Sequence, residues 1–330
     1  MNNQRAYLFL ICSVTLWLIS CEKEITIDLP NVEDKLVVEG KIEYDGITNT
    51  PPIVILTKST GYFEPTDLNS LQELFVHGAD VTVTVDNVNH QLTELCLSDI
   101  LTLISSGVID SSLVEDLLGA SLENLIGFEY CLYTIIDNSL YGEPGKTYKL
   151  TITTGGKTYT STTSIPALNP LISVWYLAQK DDTLGFAWAR MHDPPGKGNA
   201  YRWYARRISK NADGEEKDAA FVAPFGSSFE DKFIDGLEFD FAYDRGHPPG
   251  NHDDDPGEAP HFFKQTDTIA IKFCTIEMQV YEFLRIMEVE ANSNGSPFAS
   301  PSTIPTNIDN DGLGLWAGYG VTYDTIYGTP

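Results

Sequence analysis

The chain has 330 residues, with 47 acidic and 21 basic side chains and a formal net charge of −26. This excess of negative charge argues against binding to nucleic acid, whose phosphates attract Lys and Arg. It also disfavours flat attachment to an anionic lipid surface and indicates a well-solvated, extracytoplasmic protein. The length is sufficient for two folded domains.

Residues 1–20 have the layout of a bacterial signal peptide. Arg5 precedes an apolar run from Ala6 to Ile19 that is too short to span a bilayer comfortably, which takes about 20 residues. The run closes on Leu18-Ile19-Ser20-Cys21, a pattern typical of lipoprotein signals. We predict cleavage between Ser20 and Cys21 and lipidation of the Cys21 sulfur with diacylglycerol, whose acyl chains include palmitate. An ordinary secretory signal and a retained transmembrane anchor are the alternatives.

The next segment, residues 21–34, is predicted to form a lipidated tether and a first strand. It opens with the charged residues Glu22-Lys23-Glu24. One acyl chain binds a membrane only marginally, so a stable anchor needs the two or three chains of a lipoprotein. The tether therefore predicts a folded body that is held at a membrane by lipid alone.

Alternating apolar and polar residues predict strands along most of the remaining chain. Val81, Val83 and Val85 would share one face of a strand, and Ile53–Thr57 is a continuous run typical of a strand buried on both faces. Gly155-Gly156 predicts a hairpin turn between two Thr-rich strands. The pattern favours an all-β fold of two tandem immunoglobulin-like or β-sandwich domains.

The Pro-containing segment Ile165–Pro170 is the best candidate for a linker. It divides the chain into an N-terminal β-sandwich over residues 35–166 and a C-terminal sandwich-like domain over 170–330. Residues 98–127 interrupt the first domain with leucines and isoleucines at spacings of three and four, which predicts a small helical insert. This insert would act either as a cap over an open end of the sandwich or as a binding lid.

One helix is predicted in the C-terminal domain, over Glu277–Asn292. Its apolar face would contain Val280, Leu284, Met287 and Ala291, with two glutamates on the opposite side, Glu288 and Glu290. The Gly-rich end of the chain is interpreted as close-packed edge strands.

Aromatic residues are concentrated in the first strands of the C-terminal domain. They are Trp175, Phe186, Trp188, Tyr201, Trp203 and Tyr204. Such residues usually fill the core of a sandwich, whereas in a carbohydrate or nutrient binder the exposed ones would form a stacking platform. Their spacing does not decide between these two interpretations.

The cysteines predict one disulfide. Cys96 ends one strand-like run and Cys131 lies in the next, so a bridge between them would close the helical insert at its base. In the loop-entropy model it would contribute roughly 3–4 kcal/mol. Two buried free thiols are the alternative. Cys274 lies in an apolar run and is expected to be an unpaired core residue.

No cofactor, metal or catalytic residue is predicted. A polar loop over residues 244–261 carries weak candidates for metal ligands, and a solvated acidic loop explains the same composition. These candidates are His247, His252, Asp253, Asp255 and His261. Neither Gly-x-Ser-x-Gly nor His-Glu-x-x-His occurs, so the sequence argues against an enzyme.

Several segments together resemble a known family. They are Cys21-Glu22 with Ile27–Pro30, Leu36–Gly40, Gly78–Val83, Gly145–Tyr148, Asp193–Gly196 with Asn199–Arg202, Gly295–Pro301, and Asn307-Ile308 with Gly312–Gly314. The chain is similar to Bacteroidota lipoproteins that are described only as a domain of unknown function and are usually encoded beside TonB-dependent outer-membrane transporters. The resemblance covers the whole chain after the signal and supplies no catalytic residues. It implies an outer-membrane location, and the acidic tether resembles the tag that exports such lipoproteins to the cell surface.

Three functions are compatible with these observations. The favoured one is a non-enzymatic accessory protein that captures a ligand for a TonB-dependent nutrient transporter or is a subunit of its complex. The alternative is a structural or adhesive surface protein, because immunoglobulin-like tandems often serve that purpose. A surface hydrolase with a carboxylate pair is the third. The sequence does not identify the ligand.

Overall fold

A computed structural model describes most of the chain from Glu33 onwards. The described residues are 33–61, 68–118, 122, 127, 129–137, 139–180, 183–211, 214–246, 261–293 and 303–329. The predicted signal peptide, the predicted cleavage and lipidation site at Ser20 and Cys21, and the strand predicted within residues 21–34 lie outside them. Among the described residues, no helix is both long and apolar enough to cross a membrane.

The chain is mostly β-structure, which confirms the all-β prediction. The strands are β1 Leu36–Tyr44, β2 Ile53–Lys58, β3 Asp80–Val85, β4 Val88–Cys96, β5 Cys131–Thr134, β6 Thr147–Thr154, β7 Lys157–Ser164, β8 Ser173–Lys180, β9 Leu184–His192, β10 Ala200–Arg207, β11 Ser228–Glu230, β12 Glu238–Tyr243, β13 Phe263–Lys264, β14 Ile269–Ile276 and β15 Leu313–Ile326. The helices are α1 Leu68–Gln72, α2 Leu97–Ser105, α3 Ser111–Leu118 and α4 Met278–Ser293, with a short 3-10 turn at Asp231–Phe233.

Two sheets account for these strands. The larger has the order β11-β10-β14-β15-β1-β2-β5-β4-β3-β6-β7, and the smaller consists of β8, β9, β12 and β13. Two-residue turns join β3 to β4 and β6 to β7, at Asp86–Asn87 and Gly155–Gly156. All four turn residues have positive φ, as the twist of such hairpins requires. The Gly155–Gly156 hairpin is the one predicted from the sequence.

The Gly-rich end of the chain forms β15, which lies in the middle of the larger sheet. The expectation of edge strands there is therefore wrong. β15 runs parallel to β1 on one side and antiparallel to β14 on the other. A Cβ atom at Gly40 of β1 would lie 2.6 Å from the Trp316 ring, so the side chain of Trp316 covers a position that only glycine can occupy.

The predicted division at residues 166–170 separates two hydrophobic cores but not two separate sheets. Leu56, Val83 and Leu150 lie in the N-terminal core together with Trp316 from the far end of the chain. The C-terminal core lies between the smaller sheet and the strands β10 and β14. Because β15 contributes to the N-terminal core and pairs with β1, residues 34–330 form one compact unit.

Helix α4 packs on the other face of the C-terminal strands through its first half. Val280 and Leu284 are buried there, as predicted. Met287 and Ala291 were expected on the same face, but both are exposed. The inward position one turn after Leu284 is taken by Glu288, which was expected to face outward and instead pairs with the buried Arg202. An ion pair therefore replaces apolar packing at the end of this helix.

Candidate functional site

The helical insert covers the outer face of the larger sheet. Cys96 and Cys131 are opposite each other in the β4–β5 pair and form a disulfide, the pairing expected from the sequence. Helix α2 starts directly after Cys96, where the Asp99 carboxylate accepts a hydrogen bond from the Cys96 backbone at 3.0 Å. The disulfide and this helix cap fix the base of the insert against the sheet.

Apolar side chains hold the insert in place. Ile100 of α2 and Val114 of α3 pack against Ile53, Leu95 and Leu132, which project from β2, β4 and β5. All five side chains are buried. At roughly 1.5–3 kcal/mol for each fully buried aliphatic side chain, this cluster is a substantial source of stability for the insert.

The insert and the sheet do not fill the space between them. A cavity of about 210 Å³ remains, and apolar residues dominate its lining. The lining consists of Asn49, Pro51, Ile53, Leu95, Ile100, Val108, Ile109, Asp110, Val114, Leu118, Leu132, Thr134, Ile135 and Ile136. Asn49, Asp110 and Thr134 carry its polar side-chain groups, and the Thr134 hydroxyl already donates to the Pro52 carbonyl at 2.8 Å. This lining suits an apolar ligand with few polar groups.

The cavity opens towards solvent beside two exposed apolar residues. Val108, in the turn between α2 and α3, is 59% exposed, and Ile136, just after β5, is 43% exposed. An exposed apolar patch beside a concave apolar site is the usual arrangement of a binding groove. The insert therefore lies over a face of the sheet, not over an open end of a sandwich as the cap interpretation expected, and the lid interpretation stays a prediction.

The predicted metal ligands are mostly outside the described residues. His247, His252, Asp253 and Asp255 are among those, and their placement is not described. His261 is described, and its Nδ1 atom lies 3.2 Å from the Asp244 carboxylate. A histidine and one carboxylate are too few ligands to define a zinc or calcium site.

Three other carboxylates converge in a loop that the metal prediction did not include. The oxygen atoms of Asp193, Asp231 and Asp235 lie within 4.8 Å of one another. Asp193 accepts a hydrogen bond from the Tyr201 hydroxyl at 2.5 Å, and Asp231 accepts one from the Asn199 backbone at 2.9 Å. Asp235 accepts one from the Gly196 backbone at 2.7 Å. These bonds account for all three carboxylates as ties among the loops that follow β9 and β11 and the start of β10.

A buried ion pair links β14 to β1. The Lys272 ammonium lies 2.6 Å from the Glu43 carboxylate, and Lys41 approaches the same group at 3.6 Å. Burial raises the pKa of Glu43, but the two lysines outweigh this effect and lower it to about 2. Nearby, burial raises the pKa of the Cys274 thiol to about 12. The carboxylate is thus held ionised and the thiol protonated, which suits neither group to proton transfer or nucleophilic attack near pH 7.

The structure divides the aromatic residues of the C-terminal part into two sets. Tyr201 and Trp203 are fully buried in its core. Trp175, Phe186 and Trp188 are only half-buried, on the face of the smaller sheet that points away from that core. The core interpretation is therefore confirmed for Tyr201 and Trp203, and Tyr204 packs against the cluster beneath α4. For the three outward-facing residues the stacking platform stays a prediction.

A comparison with protein-family models matches residues 22–325 to a family described as Domain of unknown function (DUF4249). The chain belongs to this family. No curated protein matches the chain. The match covers both hydrophobic cores, the helical insert and the smaller sheet, so all of these features lie within the family domain. The family's description carries no activity, and the function must be argued from the sites themselves.

Proposed function

We propose that the protein is a non-enzymatic lipoprotein of the outer membrane that captures a ligand for a TonB-dependent transporter or is a subunit of that transporter's complex. The anchor would be the diacylglycerol on Cys21, and the folded body would be exposed at the cell surface. The observation that carries the ligand-binding part is the apolar cavity between the helical insert and the sheet.

The lining of this cavity favours binding over chemistry. The one hydroxyl among its described lining residues, on Thr134, donates to the Pro52 carbonyl instead of to a base, and no histidine or cysteine lines the cavity. Its remaining groups can enclose an apolar surface and contribute a few hydrogen bonds. A ligand held in this way can be released intact, as delivery to a transporter requires.

The placement at the membrane is supported by the position of the family match. The matched residues begin at Glu22, directly after the predicted lipidated cysteine. A folded domain that starts at this point would be joined to the anchor by a short acidic tether. The net charge of −26 would keep that domain in solvent and away from an anionic lipid surface.

The membrane placement is tested by changing the anchor. Cys21→Ser should move the protein from the membrane fraction to the soluble fraction, whereas Cys274→Ser, which changes a buried cysteine far from the signal, should leave it in the membrane. Biotinylation of intact cells should label the unchanged protein. A Cys21→Ser protein that stays in the membrane fraction contradicts lipidation.

The partner is tested by crosslinking in intact outer membranes, followed by mass spectrometry. We expect to recover a TonB-dependent transporter. Recovery of none would exclude this part of the proposal, and a gene deletion that altered attachment or envelope integrity without altering nutrient uptake would favour the structural or adhesive alternative.

The cavity is tested with the neutral apolar dye N-phenyl-1-naphthylamine. Its fluorescence should rise on addition of the protein, and Val108→Asp at the mouth of the cavity should weaken binding about tenfold, because a charge would have to be desolvated there. Val88→Asp is the matched control, because Val88 is 54% exposed and is not part of the cavity lining. Equal binding by both variants would show that the dye occupies another site.

A further inference from the structure

The outer face of the smaller sheet carries a row of aromatic side chains that are not part of the cavity beneath the insert. Trp175 of β8 and Trp188 of β9 are directly paired across the two strands. Their ring centroids are 6.2 Å apart and their planes differ by 21°. Next to them, Phe186 stacks on Phe262 with centroids 5.2 Å apart and an angle of 27°. These four residues are called the aromatic platform below.

The opposite face of the same strands explains why the platform is not core packing. Ala187, Ala189 and Met191 alternate with the platform residues along β9 and are fully buried against β10 and β14. The sheet therefore has its core on one side, and the platform faces away from it with all four side chains half-buried. The Trp188 Nε1 atom is itself buried and has no hydrogen-bond partner among the described residues, so no hydrogen bond accounts for an indole at this position.

Space and polar groups lie directly beside the rings. Ala242 of β12 is opposite Trp188, and its small side chain leaves room next to the indole. A groove of about 530 Å³ occupies this side of the platform, lined by Phe186, Trp188, Ala242 and Phe225 together with polar residues. Its volume is within the range of about 300–1,000 Å³ that is usual for small-molecule sites.

The polar residues on this face are hydrogen-bonding groups at the edges of the rings. Gln179, Asp240 and Asp244 line the groove. Arg190 follows Trp188 on the same face and forms two hydrogen bonds to Asp240, at 2.6 and 2.9 Å. This places amide, carboxylate and guanidinium groups around the stacked rings, and the Trp188 ring lines the groove.

We infer that the aromatic platform and its groove bind a neutral saccharide. A pyranose ring has an apolar face of C–H groups, which the negatively polarised face of an indole attracts, and a rim of hydroxyls that suits the surrounding carboxylates and amide. A row of stacked rings along one side of the groove favours this over a quaternary ammonium, which is held by a cage of aromatic walls.

Charge selects among saccharides. Among the described residues that line the groove, Asp240 and Asp244 are acidic and none is basic. The chain as a whole carries a net charge of −26. Although Arg190 is paired with Asp240, Asp244 and the net charge of the chain would still repel a uronate or sulfated glycan, so neutral glucans, mannans or xylans are the expected ligands. This inference does not depend on the transporter or on the apolar cavity, and it can fail independently of them.

The test uses the full chain purified in detergent. Affinity electrophoresis through gels containing soluble glucan, mannan, xylan or polygalacturonate should show retardation by at least one neutral polysaccharide and none by polygalacturonate. Trp188→Ala should weaken that retardation about tenfold, the loss of the stacking surface that lines the groove, and Trp175→Ala should weaken it less, because Trp175 only stacks on the Trp188 ring. Phe233→Ala is the matched control, because Phe233 is an aromatic residue with 84% exposure that does not belong to the platform.

A second variant keeps both tryptophans and closes the groove. Ala242→Phe should abolish the retardation while its thermal unfolding temperature stays close to that of the unchanged protein. The inference would be overturned if no neutral polysaccharide retarded the protein, or if polygalacturonate retarded it more strongly. It would also be overturned if Trp188→Ala were retarded as strongly as the unchanged protein, or if tetramethylammonium chloride displaced the bound glycan at equal ionic strength.

Discussion

The cavity beneath the helical insert and the aromatic platform expose apolar side chains in two different ways. The cavity is concave and is made by laying an insert over a sheet, so its shape depends on how that insert is held. The platform is a row of stacked rings on strands whose other face is part of a core. The comparison shows that one β-rich unit can carry one site that depends on a covering segment and another that depends only on the rigidity of a sheet.

The largest expected effect is the loss of stability on removing a core tryptophan, and it tests whether both sites belong to one folding unit. Trp316 is fully buried in the N-terminal core, and its Nε1 atom donates to the Tyr148 carbonyl at 3.0 Å. Trp316→Ala should lower the free energy of unfolding by about 3–5 kcal/mol, because it removes a large core side chain. Urea denaturation followed by circular dichroism measures this change.

Trp175→Ala is the control for this prediction. Trp175 is half-buried on the platform, so its loss should destabilise the protein much less. Two separate unfolding transitions in the unchanged protein, only one of them affected by Trp316→Ala, would contradict a single cooperative unit.

Removal of the disulfide should disrupt the cavity and leave the aromatic platform intact. Replacing Cys96 and Cys131 by serine opens a loop that spans a sequence separation of 35 residues, which should cost about 4 kcal/mol in the loop-entropy model. Binding of the apolar dye should be lost with the fixed base of the insert. Retardation by a neutral polysaccharide should persist under conditions where the variant remains folded. Loss of both binding activities in the folded variant would show that the platform also depends on the insert.

The buried ion pair predicts a loss of stability in acid. The pKa of Glu43 falls from its usual value of 4.5 to about 2 in the folded protein. Its contribution is therefore fully present above about pH 4.5 and is lost as the pH falls towards 2, to a total of about 3 kcal/mol. Glu43→Gln should remove this part of the pH dependence and leave the Lys272 ammonium buried without its carboxylate.

The matched variant for this experiment is Glu39→Gln. Glu39 lies on the same strand and the same face but is exposed. Denaturant unfolding between pH 2 and 7 should show a reduced acid slope for Glu43→Gln and an unchanged slope for Glu39→Gln. Identical slopes for the two variants would contradict the role of the pair.

The smallest effect concerns Cys274, which belongs to neither site. Because burial raises the pKa of its thiol to about 12, iodoacetamide should not modify it at pH 8 in the native protein. Modification should occur in denaturant. Ile47→Cys, at a position with 80% exposure, is the positive control. Rapid native modification of Cys274 would show that the core opens locally.

Local patterns in the sequence predicted the parts of the fold that depend on neighbouring residues. Alternation of apolar residues predicted the strands, and Gly155-Gly156 predicted a hairpin because only glycine adopts the required φ freely. The pairing of Cys96 with Cys131 followed from their places at the ends of successive strands. In α4, the spacing of Val280 and Leu284 predicted the buried stripe.

Local patterns did not predict which strands pair over long distances in the chain. Nothing local to the Gly-rich end indicates that β15 lies between β1 and β14, because parallel pairing joins segments almost a whole chain apart. The inward position of Glu288 likewise depends on Arg202, a residue on a distant strand. The sequence alone therefore predicted edge strands at this end and an outward-facing carboxylate.

The cavity and the platform show the same difference between what the sequence predicts and what the tertiary structure decides. The sequence alone determined that this is an acidic, β-rich chain with a helical insert and a group of aromatic residues. Only the tertiary structure decided that the insert leaves a cavity against the sheet, and that Trp175 and Trp188 face outward while Trp203 is buried. Alternation along a strand distributes side chains between two faces, but which face meets a core depends on the second sheet that packs against it.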